Sequence, residues 1–248
     1  MRVAVLADIH GNLPALDAVL ADIEAAGADA IVLNGDMATG PMPVQTLERL
    51  AGLGERAVWV RGNCERELVS AWDGVLEPGL PEVARVPTEY CAAQLGRAHR
   101  DLLNGLPLSV TLEVTGLGPV RFCHATTVSD TAVVLVDSSV DRYRSGFANV
   151  TEPTVVLGHT HMPFDRLADR RRFVNPGSVG MPYGTAGAHW ALLGPEIVLR
   201  RTAYDLHAAG ETMRAAAAGY PGLDEFVTEN VMTVPSDAEA LAVFSSSA

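Results

Sequence analysis

Five short apolar runs in this chain each end at or near a residue able to ligate a metal. The runs are Val3-Ala4-Val5-Leu6-Ala7, Ala30-Ile31-Val32-Leu33, Ala57-Val58-Trp59-Val60, Val120-Arg121-Phe122-Cys123 and Thr154-Val155-Val156-Leu157. Asp8 and His10, Asp36, Asn63, His124, and His159 with His161 follow them in that order. Short apolar stretches closed by Gly, Asn or Asp read as buried strands. Open α/β sheets build their sites just outside the carboxyl ends of the strands. The pattern therefore predicts that these seven side chains gather along one edge. Oxygen donors mixed with imidazoles suit two borderline divalent cations better than one.

The first sixty residues read as βαβαβ. Pro14 near the start and Gly27 past the end bracket a helix over 13–26, with Leu16, Val19, Leu20 and Ile23 on one face. A second helix is expected at about 44–53. Residues 64–86 read as irregular, and a helix is expected from about 87 to 103. Hairpins are expected over 108–124, turning at Gly116-Leu117-Gly118-Pro119, and over 189–201, turning at Gly194-Pro195. Helical composition returns over 204–230, broken at Gly219-Tyr220-Pro221-Gly222. A short helix with a fraying, Ser-rich end is expected over 234–248. βαβ units giving way to hairpins predict an α/β (α+β) chain with a mixed sheet or two stacked sheets. No repeat or linker divides it. One domain is expected over 1–248, with a helical C-terminal extension over about 203–248.

Composition removes several classes of function. Apolar residues make up 48% and charged residues 19%, a globular profile. A net charge of −12 argues against a protein that tracks duplex nucleic acid. Cys64, Cys91 and Cys123 have no metal-type spacing, so no disulfide framework is expected and a reducing cytoplasm fits best. The N-terminus has no signal-peptide pattern, and no apolar stretch approaches the ~20 residues that span a bilayer. There is no phosphate-binding Gly-x-x-x-x-Gly-Lys-Ser/Thr, and Gly116-Leu117-Gly118 reads as a turn.

Singly, the ligand motifs have plainer readings. Asp8 and His10 point the same way if the segment is extended, but an Asx turn with a chance histidine gives the same letters. Gly35-Asp36 and Gly62-Asn63 alone are turns. His124 alone reads as a satisfied histidine. Gly158-His159-Thr160-His161 is the sharpest of the set, since its two imidazoles can serve two cations. His99, His189 and His207 read as surface or packing residues. The blocks gain their force together, because four of the seven histidines fall at strand ends among Asp and Asn.

In this order the blocks resemble the calcineurin-like metallophosphoesterases, whose pattern is Asp-x-His, Gly-Asp, Gly-Asn, a lone His and Gly-His-x-His. The resemblance spans about residues 1–193. Asp8-Ile9-His10-Gly11-Asn12 and Asn175-Pro176-Gly177-Ser178-Val179-Gly180 look most like the small bacterial phosphodiesterase branch. The implied fold is a four-layer αββα sandwich, two mixed β-sheets flanked by helices. The implied cofactors are two divalent ions (Mn, Fe, Zn, Co or Ni), one held by Asp8, His10, Asp36 and His161, the other by Asp36, Asn63, His124 and His159. Asp36 would bridge them, and Asp36, Asn63 and His124 would be catalytic. The implied activity is hydrolysis of a small phosphate ester, most readily a diester, by a hydroxide shared between the two ions. A phosphomonoesterase at the same site and a non-catalytic scaffold are the alternatives.

Cys64 stands where many members carry a histidine acid, and Glu65 where an acidic supporting residue is usual. Ala125 stands after His124, where Gly is common. Asn12 is expected either to contact substrate or to cap the first helix, and Cys64 to leave room for substrate. Asn175-Pro176-Gly177-Ser178 is expected to buttress ligands or to touch substrate, and Arg142 and Arg144 to face water. The C-terminal helices are expected to cover a sheet or to make a homo-oligomer contact.

Overall fold

The computed structural model describes residues 1–75 and 77–245. Its strands are β1 (Val3–Leu6), β2 (Ala30–Asn34), β3 (Ala57–Val60), β4 (Ser109–Val114), β5 (Gly118–Cys123), β6 (Thr154–Val156), β7 (Phe164–Ala168), β8 (Arg171–Asn175), β9 (Ala188–Leu193) and β10 (Ile197–Thr202). Its helices are α1 (Leu13–Ala26), α2 (Pro43–Ala51), α3 (Asn63–Trp72), α4 (Glu82–Gln94), α5 (Arg97–Asn104), α6 (Val140–Gly146), α7 (Leu206–Ala216), α8 (Leu223–Phe226) and α9 (Asp237–Ser245). The strands form two mixed five-stranded sheets, ordered β10-β9-β1-β2-β3 and β4-β5-β6-β8-β7. β1, β2 and β3 run parallel, as do β5, β6 and β8, and the carboxyl ends of β1, β2, β3, β5 and β6 lead into the ligand motifs.

Alternation along the strands sorts the core into layers. Val3, Val5, Val32 and Val60 face the other sheet and meet Val120, Phe122, Val156 and Val174. Ala4, Leu6, Ile31 and Leu33 point the opposite way, onto Leu16, Val19, Leu20 and Ile23 of α1. On the far side of the second sheet, Val155 and Phe173 pack under Tyr143 and Phe147. The result is the expected αββα sandwich. Each fully buried Val, Leu, Ile or Phe contributes roughly 1.5–3 kcal/mol, so strand ends rooted in these layers form a stiff platform.

α1 runs over 13–26 as read from its caps. Asn12 Oδ1 accepts the Ala15 amide at 3.1 Å, and Gly27 closes the helix in the left-handed conformation. Both expected hairpins form, and the C-terminal helices break over 217–222. The serine-rich end, from Ser246 onward, lies outside the described residues.

Three expectations need correction. Residues 63–72 are helical, not irregular. Glu65 and Glu67 hid this helix by making its inner face look polar, yet both are buried there with Cys64, Leu68 and Val69. The helix expected at 87–103 is two helices, and the first starts before Pro87, which sits inside it. They part at Leu95-Gly96, where the Leu95 carbonyl turns out to accept the Trp72 indole N–H at 2.9 Å. The β7–β8 hairpin was not foreseen because Asp169 and Arg170 make its turn, with φ of 44° and 65°, without a glycine. Among the described residues no helix is long and apolar enough to cross a membrane.

Candidate metal centre

The ligand segments are not extended. β1 stops at Leu6, and Asp8 and His10 then take left-handed backbone angles, φ 55° and 48°. Asp36, His159 and His161 do the same, at 56°, 67° and 57°. Five of the seven expected ligands thus hold a conformation that costs a non-glycine residue of order 1–2 kcal/mol. Asp8 and His10 do face one centre, but through successive turns and not through strand alternation. The turns are zipped to one another by backbone bonds: Asp8 N–H to Gly35 O and His10 N–H to Asp36 O at 3.0 Å, and Gly158 N–H to His124 O at 2.7 Å.

Two clusters result. Asp8, His10 and His161 bring their ligand atoms within 4.8 Å of one another, and Asp36, His124 and His159 do the same. Asp36 joins them, with Oδ2 3.3 Å from His124 Nε2 and 3.9 Å from His10 Nε2. Its other oxygen accepts the Cys64 amide at 2.9 Å, which fixes the carboxylate's orientation. Both motif glycines are there for close approach. A Cβ on Gly62 would lie 2.2 Å from Asp36 Oδ1, and one on Gly35 would lie 2.4 Å from His124 Nδ1.

The imidazoles are oriented from behind. His10 Nδ1 lies 3.1 Å from Thr39 O, His161 Nδ1 2.8 Å from Met181 O, and His124 Nδ1 2.9 Å from Asn34 O. A carbonyl only accepts, so each Nδ1 carries the hydrogen and each neutral ring presents an Nε2 lone pair to the site. Two such lone pairs, on His10 and His161, face each other at 3.2 Å. They repel unless a cation, proton or metal, sits with them. His124 Nε2 and Asn63 Oδ1 are buried with no hydrogen-bond partner among the described residues. Asn63 donates its amide N–H to Glu67 Oε1 at 3.1 Å, which leaves its oxygen free for a cation. The donor set fits two divalent ions.

Charge follows the same logic. Burial opposes ionisation of Asp36 and Asp8, but His124, His10 and His159 beside the first, and His161 and His124 beside the second, hold both below the usual carboxylate range. Burial works to lower His124, yet Asp36 and Asp8 raise it to about 10, and Asp8 likewise raises His161. Burial and the His124 charge push His159 down to about 4. The metal-free centre thus keeps protons where the cations would sit, and loading must release them.

Glu65 is completely buried and gathers three amides: Met37 at 2.7 Å, Gly62 at 2.8 Å and Asp36 at 2.9 Å. Burial and the Asp36 charge raise it to about 7 against the pull of those amides. It ties the β2 turn to the β3 turn. Glu67, which orients Asn63, has no counterpart in the sequence reading; its place one helical turn after Asn63 was the available signal. Asn175 donates to Gly158 O at 2.7 Å, and Ser178 Oγ to Asp8 O at 2.7 Å, so this loop buttresses the ligand turns. Arg144 faces water, while Arg142 donates to Val133 O.

Two expected substrate contacts are corrected. Asn12 is fully buried: its oxygen caps α1 and its amide donates to Gly180 O at 3.1 Å. Cys64 is 7% exposed, and burial, with Asp36 and Glu67 nearby, pushes its thiol well above the ordinary range. It stays a neutral thiol, and its part is the amide that positions Asp36. His189 is structural, its Nε2 on Thr185 O at 2.9 Å.

The chain resembles several known proteins. Phosphodiesterase YfcE of Escherichia coli (strain K12) is 34% identical over 77 residues, 27% of this chain and 42% of that protein. The match thus spans less than half the length of that relative. The structure superposes on hypothetical protein PH1004 from Pyrococcus horikoshii OT3 with a TM-score of 0.78 at 20% identity, covering 95% of this chain and 99% of the other. A metallophosphoesterase from Sphaerobacter thermophilus gives a TM-score of 0.71 at 26% identity, covering 92% and 98%. The model of the calcineurin-like phosphoesterase superfamily domain matches residues 1–196. With its ligand turns at the strand ends that this family's pattern occupies, the chain belongs to the calcineurin-like phosphoesterase superfamily.

Proposed function

We propose that the protein is a dinuclear metal-dependent phosphodiesterase acting on a small phosphate ester. The observation that carries this is Asp36 Oδ2, set between His10 of one three-ligand cluster and His124 of the other. Asp8, His10, Asp36 and His161 would hold one ion, and Asp36, Asn63, His124 and His159 the second. When bound, the ions supply positive charge to the phosphoryl oxygens and acidify water for attack on phosphorus. Asp8 and Asp36 bring only two negative charges to that centre, and the four imidazoles bind as neutral rings. The loaded pocket is therefore cationic within a chain of net charge −12, which favours an anionic ester at this one place. Asp36, Asn63 and His124 are the residues through which the protein would act on the reacting group. Glu65, Glu67, Asn175 and Ser178 keep them in position.

Two features favour a diester. One relative, 34% identical over 77 residues, is a phosphodiesterase. Cys64 offers a neutral buried thiol where a histidine could have been charged, so nothing there rewards the second negative charge of a monoester. The test is hydrolysis of bis(4-nitrophenyl) phosphate and 4-nitrophenyl phosphate by metal-stripped protein with and without added Mn²⁺. Metal-dependent turnover with a higher kcat/KM for the diester supports the reading. Faster turnover of the monoester would make the protein a phosphomonoesterase.

A further inference from the structure

The family model stops at residue 196, but the chain's last described helix comes back to the metal centre. The Phe244 ring of α9 lies 6.4 Å, centroid to centroid, from the His159 ring. Tyr183 stacks on His161 at 5.7 Å and 29°. The two aromatic rings meet each other edge to face at 6.2 Å and 78°. Each therefore touches a ligand of a different cluster. Ala240 of α9 is anchored in a small buried cluster with Val133, Leu135 and Met162, against which Phe244 and Tyr183 pack while staying partly exposed. The helix is started by a reciprocal cap, Glu239 N–H to Ser236 Oγ at 3.3 Å and Ser236 N–H to Glu239 Oε2 at 2.8 Å. Gly184 N–H to Pro235 O, at 2.8 Å, ties its entry to the loop that carries Tyr183.

The two flanks of the centre differ in kind. Beside Asn63 the side chains are ionic: Glu67, then Arg66 held on Asp130 by bonds of 2.9 and 3.0 Å. Beside His159 and His161 they are aromatic and aliphatic, and residues 233–245 contain two acids and no base. A phosphate held between the clusters must send its ester arms along these flanks. On the α9 side an arm meets the ring faces of Phe244 and Tyr183.

We infer that Phe244 and Tyr183 form the subsite for an uncharged aromatic ester arm, such as an aryl group or a nucleobase, and so determine which phosphate esters the centre accepts. This rests on the phosphoesterase reading proposed above. Offset or edge-on aromatic contact selects a flat arm over a small alkyl one by up to about 10-fold.

The test uses the full chain loaded with Mn²⁺. Affinities for phenylphosphonate and methylphosphonate are measured by calorimetry, beside rates on phenyl 4-nitrophenyl phosphate and methyl 4-nitrophenyl phosphate, which share a leaving group. The expected wild-type preference is about 10-fold for the phenyl compounds in both readouts. In Phe244→Ala that ratio falls below about 3-fold. Phe244→Leu keeps the apolar anchor and lacks the flat face, and the ratio falls there too. A ratio near one in the wild type, an unaltered ratio in both variants, or a gain in affinity for both ligands in Phe244→Ala would overturn the subsite. A phenyl preference in binding with no turnover of either diester would sink the catalytic reading and leave the subsite standing. Binding of neither phosphonate would overturn both.

Discussion

The turns that carry the ligands and the helix that lies against them are held in opposite ways. Around Asp8, Asp36 and His124 the backbone is bonded to backbone, turn to turn, and each of these three side chains is fixed again through its far atom: Asp8 by the His159 amide, Asp36 by the Cys64 amide and His124 by the Asn34 carbonyl. Around α9 the hold is apolar side chains on a small cluster, plus one backbone bond at its entry. The first arrangement holds the ligand turns at several points and stores backbone strain that the surroundings must hold down. The second fixes a surface's chemistry while leaving its exact shape free to vary. Under the proposed function, catalytic geometry would rest on the first kind of construction, and under the proposed subsite, substrate choice on the second.

The contrast predicts a graded series of effects. The largest should come from Asp36→Asn, which removes the shared charge. Turnover should drop by about 10²–10³-fold or more, and metal analysis should find fewer than two ions per chain. A variant that keeps both ions and full turnover would dissolve the idea of a shared carboxylate.

Gly62→Ala comes next, because its Cβ would collide with Asp36 itself. Thermal unfolding should show a loss of about 1–3 kcal/mol or more, with metal affinity falling alongside. Unchanged stability would mean that the two turns are looser than they look. Glu65→Gln keeps the shape but weakens a three-amide clamp, so metal affinity should fall by roughly 10–100-fold, readable by competition with a chelator.

Protons give a subtler test. His124 in the metal-free protein is raised from 6.5 to about 10, so it must give up a proton to become a ligand. Loading should therefore release protons near neutral pH, and affinity should weaken as pH falls. Calorimetry in buffers of different ionisation enthalpy measures the release, and zero release would contradict the assignment of His124. For the metal-free fold the sign is the reverse. A raised histidine pKa stabilises below about 6.5, and that contribution is lost as pH rises through about 10. The smallest effect is expected at Arg144→Ala, whose side chain is 57% exposed. Stability should move by no more than about 0.5 kcal/mol.

The same contrast explains what the residues revealed in advance. Strand ends, caps and glycines are local features, and they placed β1, α1, β2, both early-read hairpins and the ligand order. What could not be read was anything set by burial of polar side chains. α3 looked irregular because Glu65 and Glu67 face inward, and only the folded structure shows them to be clamps on amides and on Asn63. Asn12 read equally as a substrate contact or as a cap of α1, and only packing decides for the cap. Phe244 sits 85 residues beyond His159 in a segment of bland composition, and no periodicity links the two.

Metal titration of stripped protein tests the central claim most directly, with bound ions counted by native mass spectrometry and diester hydrolysis followed in the same samples. Two linked clusters predict that turnover stays low through the first equivalent of Mn²⁺ and rises as the second site fills. Full turnover with a single ion bound, or two ions bound with no phosphate ester hydrolysed, would contradict it.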